Sequence, residues 1–234
     1  MQSGSSAVRT TALIACVTTI IGTALQIWGL ARQAQPGWGA VTIFAILTVL
    51  YVALSWFYFA TWRNRAGLAL SPKLRLLALC GGVLLGLLIL AEIWWWAGSF
   101  SSISVLSSRR HWTGSDTLAL ASIFPDVGAI ALLIALGCQH ERAATEDSVS
   151  KMLSSATNLA GILWGARTAI QCIGFVSLPF AYFLFLRQYW IAAGRTPSLM
   201  ELMRRPTQYL IETACLLIAP YVVWRSIRQR PKST

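Results

Sequence analysis

Acidic side chains are scarce in this chain: eight Asp and Glu stand against nineteen Lys and Arg, a formal net charge of +11. Charged residues of both signs make up only 12% of the 234 residues, about half the usual share in a soluble globule, roughly 25%. Histidine is reduced to His111 and His140, both in polar connecting stretches. The five cysteines, Cys16, Cys80, Cys138, Cys172 and Cys215, form no CxxC pair and fall within or at the ends of apolar segments. These absences argue against a zinc site and against haem held between helices, so no metal site or cofactor is expected. They leave the cysteines as small apolar packing residues. Neither strand periodicity nor an internal repeat is present, so the inverted-repeat logic of secondary transporters gains no support.

What the chain has in abundance is apolar sequence: 56% of its residues are hydrophobic, and its mean hydropathy is positive. Six segments reach the ~20 residues needed to cross a bilayer, at 11–31, 40–61, 74–97, 117–138, 157–186 and 208–226. A seventh span is possible. Open sheet edges cannot face lipid, so the spanning form is helical. The expectation is an all-α polytopic transmembrane bundle, one integral-membrane domain over residues 1–234. The first segment lacks a small-residue cleavage site and is long for a signal-peptide core, and is therefore read as a helix.

The excess of positive charge does not point to nucleic acid, because it lies in short loops beside the apolar segments. Arg63, Arg65, Lys73 and Arg75 lie between the second and third spans, and Arg225, Arg228, Arg230 and Lys232 follow the last. Anionic lipid headgroups are the natural counter-charge. With an even number of spans, the side holding both termini gathers most of the basic residues, including Arg9, Arg142 and Lys151. The other side holds Arg32, Arg109, Arg110, Arg187, Arg195, Arg204 and Arg205. The positive-inside rule then places both termini in the cytoplasm. Gly82-x-x-x-Gly86 and Gly161-x-x-x-Gly165 read as sites of close helix contact within the chain.

Four ionisable residues interrupt the apolar segments: Glu92, Asp126, Arg167 and Glu212. Charge at bilayer depth costs about 2.5–3.5 kcal/mol per residue on insertion scales, and it tends to persist where it is paired or used. Chain direction brings the end of the third span and the starts of the fourth and sixth to one face. Measured at 1.5 Å per residue, Glu92 lies ~8 Å deep, Asp126 ~14 Å and Glu212 ~6 Å from that face, and Arg167 reaches ~15 Å from the other. Each also has a plainer reading. Glu92 precedes the aromatic belt Trp94, Trp95 and Trp96 and can reach headgroups. Asp126 follows Pro125 and can repair a kink or pair with Arg167. Arg167 can snorkel, and Glu212 can sit at an interface.

If the four converge, their chemistry follows from the low dielectric. Apolar surroundings favour the neutral form of a carboxyl, which can then donate a proton. One acid and one base suffice to protonate and later deprotonate an apolar substrate. Aromatic faces from Trp94–Trp96, Trp164, Phe175 and Phe180 can stabilise a carbocation, by up to ~2 kcal/mol each when desolvated.

At these residues the chain resembles the small fungal membrane-bound terpene cyclases of meroterpenoid and indole-diterpene pathways. Leu90-Ala91-Glu92-Ile93-Trp94-Trp95 resembles the family segment that ends in an aromatic-flanked Glu. Ile211-Glu212-Thr213 leading to Tyr221-Val222-Val223-Trp224-Arg225 is similar to its last span, with Glu in place of the usual Asp. Leu163-Trp164 with Arg167 and Cys172, then Arg187-Gln188-Tyr189-Trp190, resemble the penultimate helix and its exit. The resemblance covers mainly residues 130–230 and the neighbourhood of Glu92. The departures are six spans instead of seven, a first acid in the third span instead of the second, and a shorter spacing between the two acids.

The resemblance implies a metal-independent cyclase or isomerase that opens an epoxide or protonates an alkene of a prenylated substrate. It assigns Glu92 and Glu212 as catalytic; the reading of the residues themselves adds Asp126 and Arg167 as a supporting pair and Trp95 and Trp164 as cation-stabilising aromatics. The implied partners are a hydrophobic small molecule and membrane lipids, not nucleic acid; for a fungal chain the implied membrane is the endoplasmic reticulum. A small transporter or accessory membrane subunit with a polar intramembrane path is the competing reading. Topology is directly testable: a reporter fused to the C terminus is expected in the cytosol, and its appearance on the opposite side would overturn the orientation.

Overall fold

In the computed structural model, residues 3–32, 37–64, 68–104, 114–139, 151–181 and 199–229 are described. They form six helices: α1 (Ser3–Ala31), α2 (Trp38–Arg63), α3 (Pro72–Ser104), α4 (Gly114–Gly137), α5 (Lys151–Ala181) and α6 (Leu199–Arg228). Among the described residues there is no strand. Five of the helices are long and apolar enough to cross a membrane, which marks a multi-pass membrane protein. The sixth, α4, has a shorter apolar stretch, Ala121–Gly137, about 25 Å long at helical rise.

The helices overrun several predicted ends. α5 starts at Lys151 and α6 at Leu199, inside stretches expected to be connections, and α6 carries Pro206 and Pro220 in its body. Neighbouring helices and side chains can re-satisfy the backbone groups that a proline frees in a membrane helix, so Pro206 does not end α6. The apolar stretch of α6 therefore begins at Met203, which puts Glu212 ~14 Å along it instead of the expected ~6 Å. The polar stretch 140–150, with His140, Glu141 and Arg142, lies outside the described residues, as do His111 and residues 182–198.

Helix contacts run α1–α2–α5–α6–α3–α4 and back to α1, a closed ring, with a smaller contact between α4 and α6 across its interior. Chain direction alternates around the parts of the ring where pairings can be followed. Arg9 Nε of α1 donates to the Trp62 carbonyl of α2 at 3.0 Å, and Cys16 Sγ donates to the Ser55 carbonyl at 3.5 Å. Arg75 Nη1 of α3 donates to the Gln139 carbonyl past the end of α4, and Gln139 Nε2 returns a bond to the Leu68 carbonyl. Arg9 and Arg75 thereby tie down the terminus side of the bundle.

Small residues allow the closest approaches, but not where the sequence motifs placed them. A Cβ on Gly128 of α4 would meet Thr18 Oγ1 and would lie 2.5 Å from the Ala15 Cα of α1. One on Gly22 of α1 would lie 2.8 Å from the Ala121 carbonyl and from the Pro125 ring of α4. Gly82 packs on Leu133 and Ile134 of α4 as expected, whereas Gly86, Gly161 and Gly165 meet nothing within 4 Å. Gly86, Gly161 and Gly165 are half-buried, but none is a point of close helix approach, because each leaves open space where a Cβ would stand. Substituting Gly128→Ala should destabilise the solubilised protein by about 1–3 kcal/mol through overpacking. Gly161→Ala should be neutral in the same denaturation series; the reverse order would refute this packing.

Candidate functional site

The inward stripes of α2, α3, α5 and α6 change character part-way along the bundle. On α5, Leu153, Ala156, Ala160 and Trp164 are buried, while Arg167, Gln171, Phe175 and Leu178, which continue the same face, are only half-buried. This is the i, i+3/i+4 spacing of one helix face. On α2 the buried stripe runs from Leu50 and Tyr51 through Leu54, Phe57 and Tyr58 to Thr61, and gives way to half-buried Leu47, Phe44 and Val41. On α6 it runs from Glu212 to Ser226 and gives way to half-buried Gln208 and Met203; on α3 it stops at Ile89, one turn before half-buried Glu92. Among the described residues, then, the half of the ring nearer the termini is filled. In the other half the inward stripes of α2, α3, α5 and α6 are only half-buried, while α1 and α4 stay packed together through Gly22, Gln26, Ala121 and Pro125.

The filled half is a floor of large side chains. Leu54, Phe57, Leu132, Leu133, Leu136, Leu153, Leu216 and Val222 are all fully buried in one cluster. Burial of a Leu, Val or Phe side chain is worth roughly 1.5–3 kcal/mol where water is the alternative. In a membrane, dispersion and shape-matching carry more of that weight, since lipid is as apolar as leucine. Trp164 closes the top of the floor. Its Nε1 donates to the Leu50 carbonyl at 3.3 Å, and its ring lies 5.9 Å from that of Tyr51 in a tilted arrangement. The indole is fully buried, its one polar atom is satisfied, and it locks α5 to α2.

Directly on this floor lies the polar cluster. Asp126 of α4 is 3% exposed and Glu212 of α6 is 9% exposed. Asp126, Glu212, Glu92 and Arg167 are close enough to interact electrostatically, with Glu212 the strongest charged neighbour of Asp126. Tyr51 joins them: its hydroxyl is within hydrogen-bonding reach of Arg167 and within range of both buried carboxyls. The Arg167 guanidinium sits over the Trp164 ring, 4.9 Å from its centroid, a cation–π contact that fixes its height above the floor. The structure therefore brings all four sequence-predicted ionisable residues together, one each from α3, α4, α5 and α6.

Their partners differ from a simple set of ion pairs. Among the described residues no salt bridge joins Arg167 to Asp126 or Glu212, so Arg167 and Asp126 are neighbours and not a closed pair. Asp126 Oδ1, Arg167 Nη1, Gln171 Oε1 and Thr213 Oγ1 are buried without a hydrogen-bond partner. Glu92 stands apart from the deep pair. It is half-buried and feels Arg205, an exposed residue two turns before Glu212, as well as the buried acids.

The aromatic expectations divide. Trp164 lies against the cluster, but its indole is committed to Leu50 and Tyr51. Trp94 is 82% exposed and Phe180 points outward, so neither faces the interior. The side chains of Trp95 and Trp96 lie outside the described residues.

No family model, curated protein or solved structure matches this chain. What the site can do is argued from its geometry.

Tyr51 and Gln171 are members of the cluster that charge alone does not reveal. Tyr51 carries a signal of its own, since tyrosine favours the membrane interface and this one sits mid-helix. Gln171 follows Arg167 at i+4 and so shares its face. Replacing Trp164 with Phe removes the bond to Leu50 and the better half of the cation–π contact. The expected loss is about 1–2 kcal/mol in reversible denaturation of the solubilised protein. No change would show that the indole does not lock α2 to α5.

Proposed function

We propose that this protein is a membrane cyclase or isomerase that starts its reaction by protonating an apolar, prenylated or epoxidised substrate. The observation that carries this reading is the pair of buried carboxyls, Asp126 and Glu212, set on a closed apolar floor beneath half-buried helix faces. A small hydrophobic molecule can enter such a space from the open end, and the floor limits how far it goes. The resemblance around Glu92, Glu212 and Trp164 supports the same reading.

The chemistry needs one proton donor and one acceptor at the reacting carbons. A carboxyl donates its proton to the epoxide oxygen, the carbon–oxygen bond breaks, and the oxygen stays in the product as a hydroxyl. An alkene of the same chain attacks the electron-poor carbon and closes the ring. The resulting cation loses a proton to the second group, which is a carboxylate from the start, and transfer of that proton back to the first restores the resting state, so that protons balance over one turnover. Asp126 and Glu212 supply these two roles at the deepest point of the site. Glu92, half-buried and close to Arg205, stands at the mouth, where it can exchange protons with the membrane surface. Enclosure matters as much as the acids: a carbocation formed on this floor meets hydrocarbon and aromatic faces before it meets water.

The transporter reading requires a polar route through to the terminus side. The described residues there include fully buried Leu54, Phe57, Leu132, Leu136, Leu153 and Leu216, with Tyr58, Thr61 and Thr157 buried singly among them; the apolar majority favours one opening over a path with two. The catalytic reading is tested in isolated membranes supplied with an epoxidised prenyl arene. Asp126→Asn and Glu212→Gln should each lower cyclisation by about 100-fold or more, the scale of a lost general acid or base. Undiminished product in both variants would eliminate the mechanism.

A further inference from the structure

Arg167 is the least explained residue of the cluster. A guanidinium offers five N–H donors and no acceptor. One of its faces is taken by the Trp164 ring, and its edge reaches the Tyr51 hydroxyl. Nη1 nonetheless lies buried with no acceptor. A purely structural arginine at this depth would close onto Asp126 or Glu212, because leaving a charged donor unpaired away from water is among the costliest arrangements available. Neither carboxylate is in salt-bridge contact with it among the described residues. One turn further along the same helix face, Gln171 Oε1 is also buried without a partner, but as an acceptor it calls for a donor and is separate from the Arg167 need. Thr213 of α6, which is fully buried, keeps a third.

We propose that Arg167, with Tyr51 beside it, is a binding subsite for an acceptor oxygen on an otherwise apolar ligand. The ligand class is a hydrocarbon-rich molecule with a carbonyl-type oxygen at one end. That oxygen accepts from Arg167 Nη1, and the hydrocarbon runs along the half-buried faces of Phe44, Leu47, Phe175 and Leu178. Trp164 presses on the guanidinium from the floor side and Tyr51 holds its edge, so the free donor is fixed in place before the ligand arrives. Such preorganisation lowers the cost of binding. The assignment also predicts selectivity of a sign that three nearby acids would not give by themselves: carboxyls alone would favour a cationic, donor-bearing head group.

This inference rests on the catalytic reading only in its choice of prenyl chains as probes. The test is a binding titration of the detergent-solubilised full chain with a prenyl ketone, a prenyl hydrocarbon and a prenyl amine of equal length. The ketone should bind at least about 10-fold more tightly than the hydrocarbon, as expected for one hydrogen bond from a charged donor. In Arg167→Met that advantage should fall below about threefold, and in Tyr51→Phe, which releases the guanidinium edge, it should shrink without change in hydrocarbon binding. Tyr51→Phe also serves if Arg167→Met does not fold. Equal ketone affinity in the wild type and whichever variant folds would overturn the subsite, as would tighter binding of the amine than of the ketone. Ketone selectivity in a protein that shows no cyclase turnover would leave the subsite standing and remove the catalytic reading. Turnover without ketone selectivity would do the reverse.

Discussion

Enclosing polar groups at membrane depth is the constraint on which the rest of this structure depends. Carboxyls and a guanidinium on lipid-facing helices would be intolerable, so Asp126, Glu212 and Arg167 have to look inward. That requirement turns six apolar helices of little intrinsic preference for one another into a ring with a defined interior. The ring is then held by ordinary means. Gly22 and Gly128 let α1 and α4 meet backbone to backbone, Trp164 joins α5 to α2 through the Leu50 carbonyl, and the Leu–Phe floor fills what remains. Remove the inward charges and the packing still has reasons to form, but no reason to stop half-way along the bundle.

That half-way stop gives the site its character. The cluster occupies the boundary between a filled half and a lined half, with Tyr51, Trp164 and Glu212 at the same level on three helices. A polar site in the middle of a fully packed bundle would be a structural pair network, and one in an open channel would be a conduction path. At a one-sided boundary the same residues suit the proposed function, in which a molecule arrives from one direction. Arg167, pinned from below and unpartnered on Nη1, is the clearest expression of that asymmetry.

Much of this was legible in the sequence, and the physical reason is the same in each case. Membrane helices announce themselves by length and hydropathy, and ionisable residues within them are rare enough to be read individually. Glu92, Asp126, Arg167 and Glu212 were therefore identifiable as a set, and alternation of chain direction allowed their convergence to be expected. Helix ends were less legible. Pro206 reads as a boundary by the rules of soluble proteins, and ignoring the membrane's tolerance of proline placed Glu212 too near the surface. The glycine motifs misled because small-residue spacing records only that close contact is allowed: Gly82 uses the allowance, while Gly161 and Gly165 do not. Tyr51 and Gln171 were illegible for another reason. They carry no charge, and only the tertiary arrangement shows that Tyr51 lies beside groups that do and that the Gln171 amide oxygen is buried.

The central claim is that Asp126 and Glu212 belong to one cluster across the α4–α6 contact. A double-mutant cycle on Asp126→Asn and Glu212→Gln, read by reversible denaturation of the solubilised protein, tests it most directly. Residues within one polar network couple by about 0.5–3 kcal/mol, whereas distant ones add to within about 0.3–0.5 kcal/mol. A coupling of the larger size is the predicted result, and simple additivity would contradict the account.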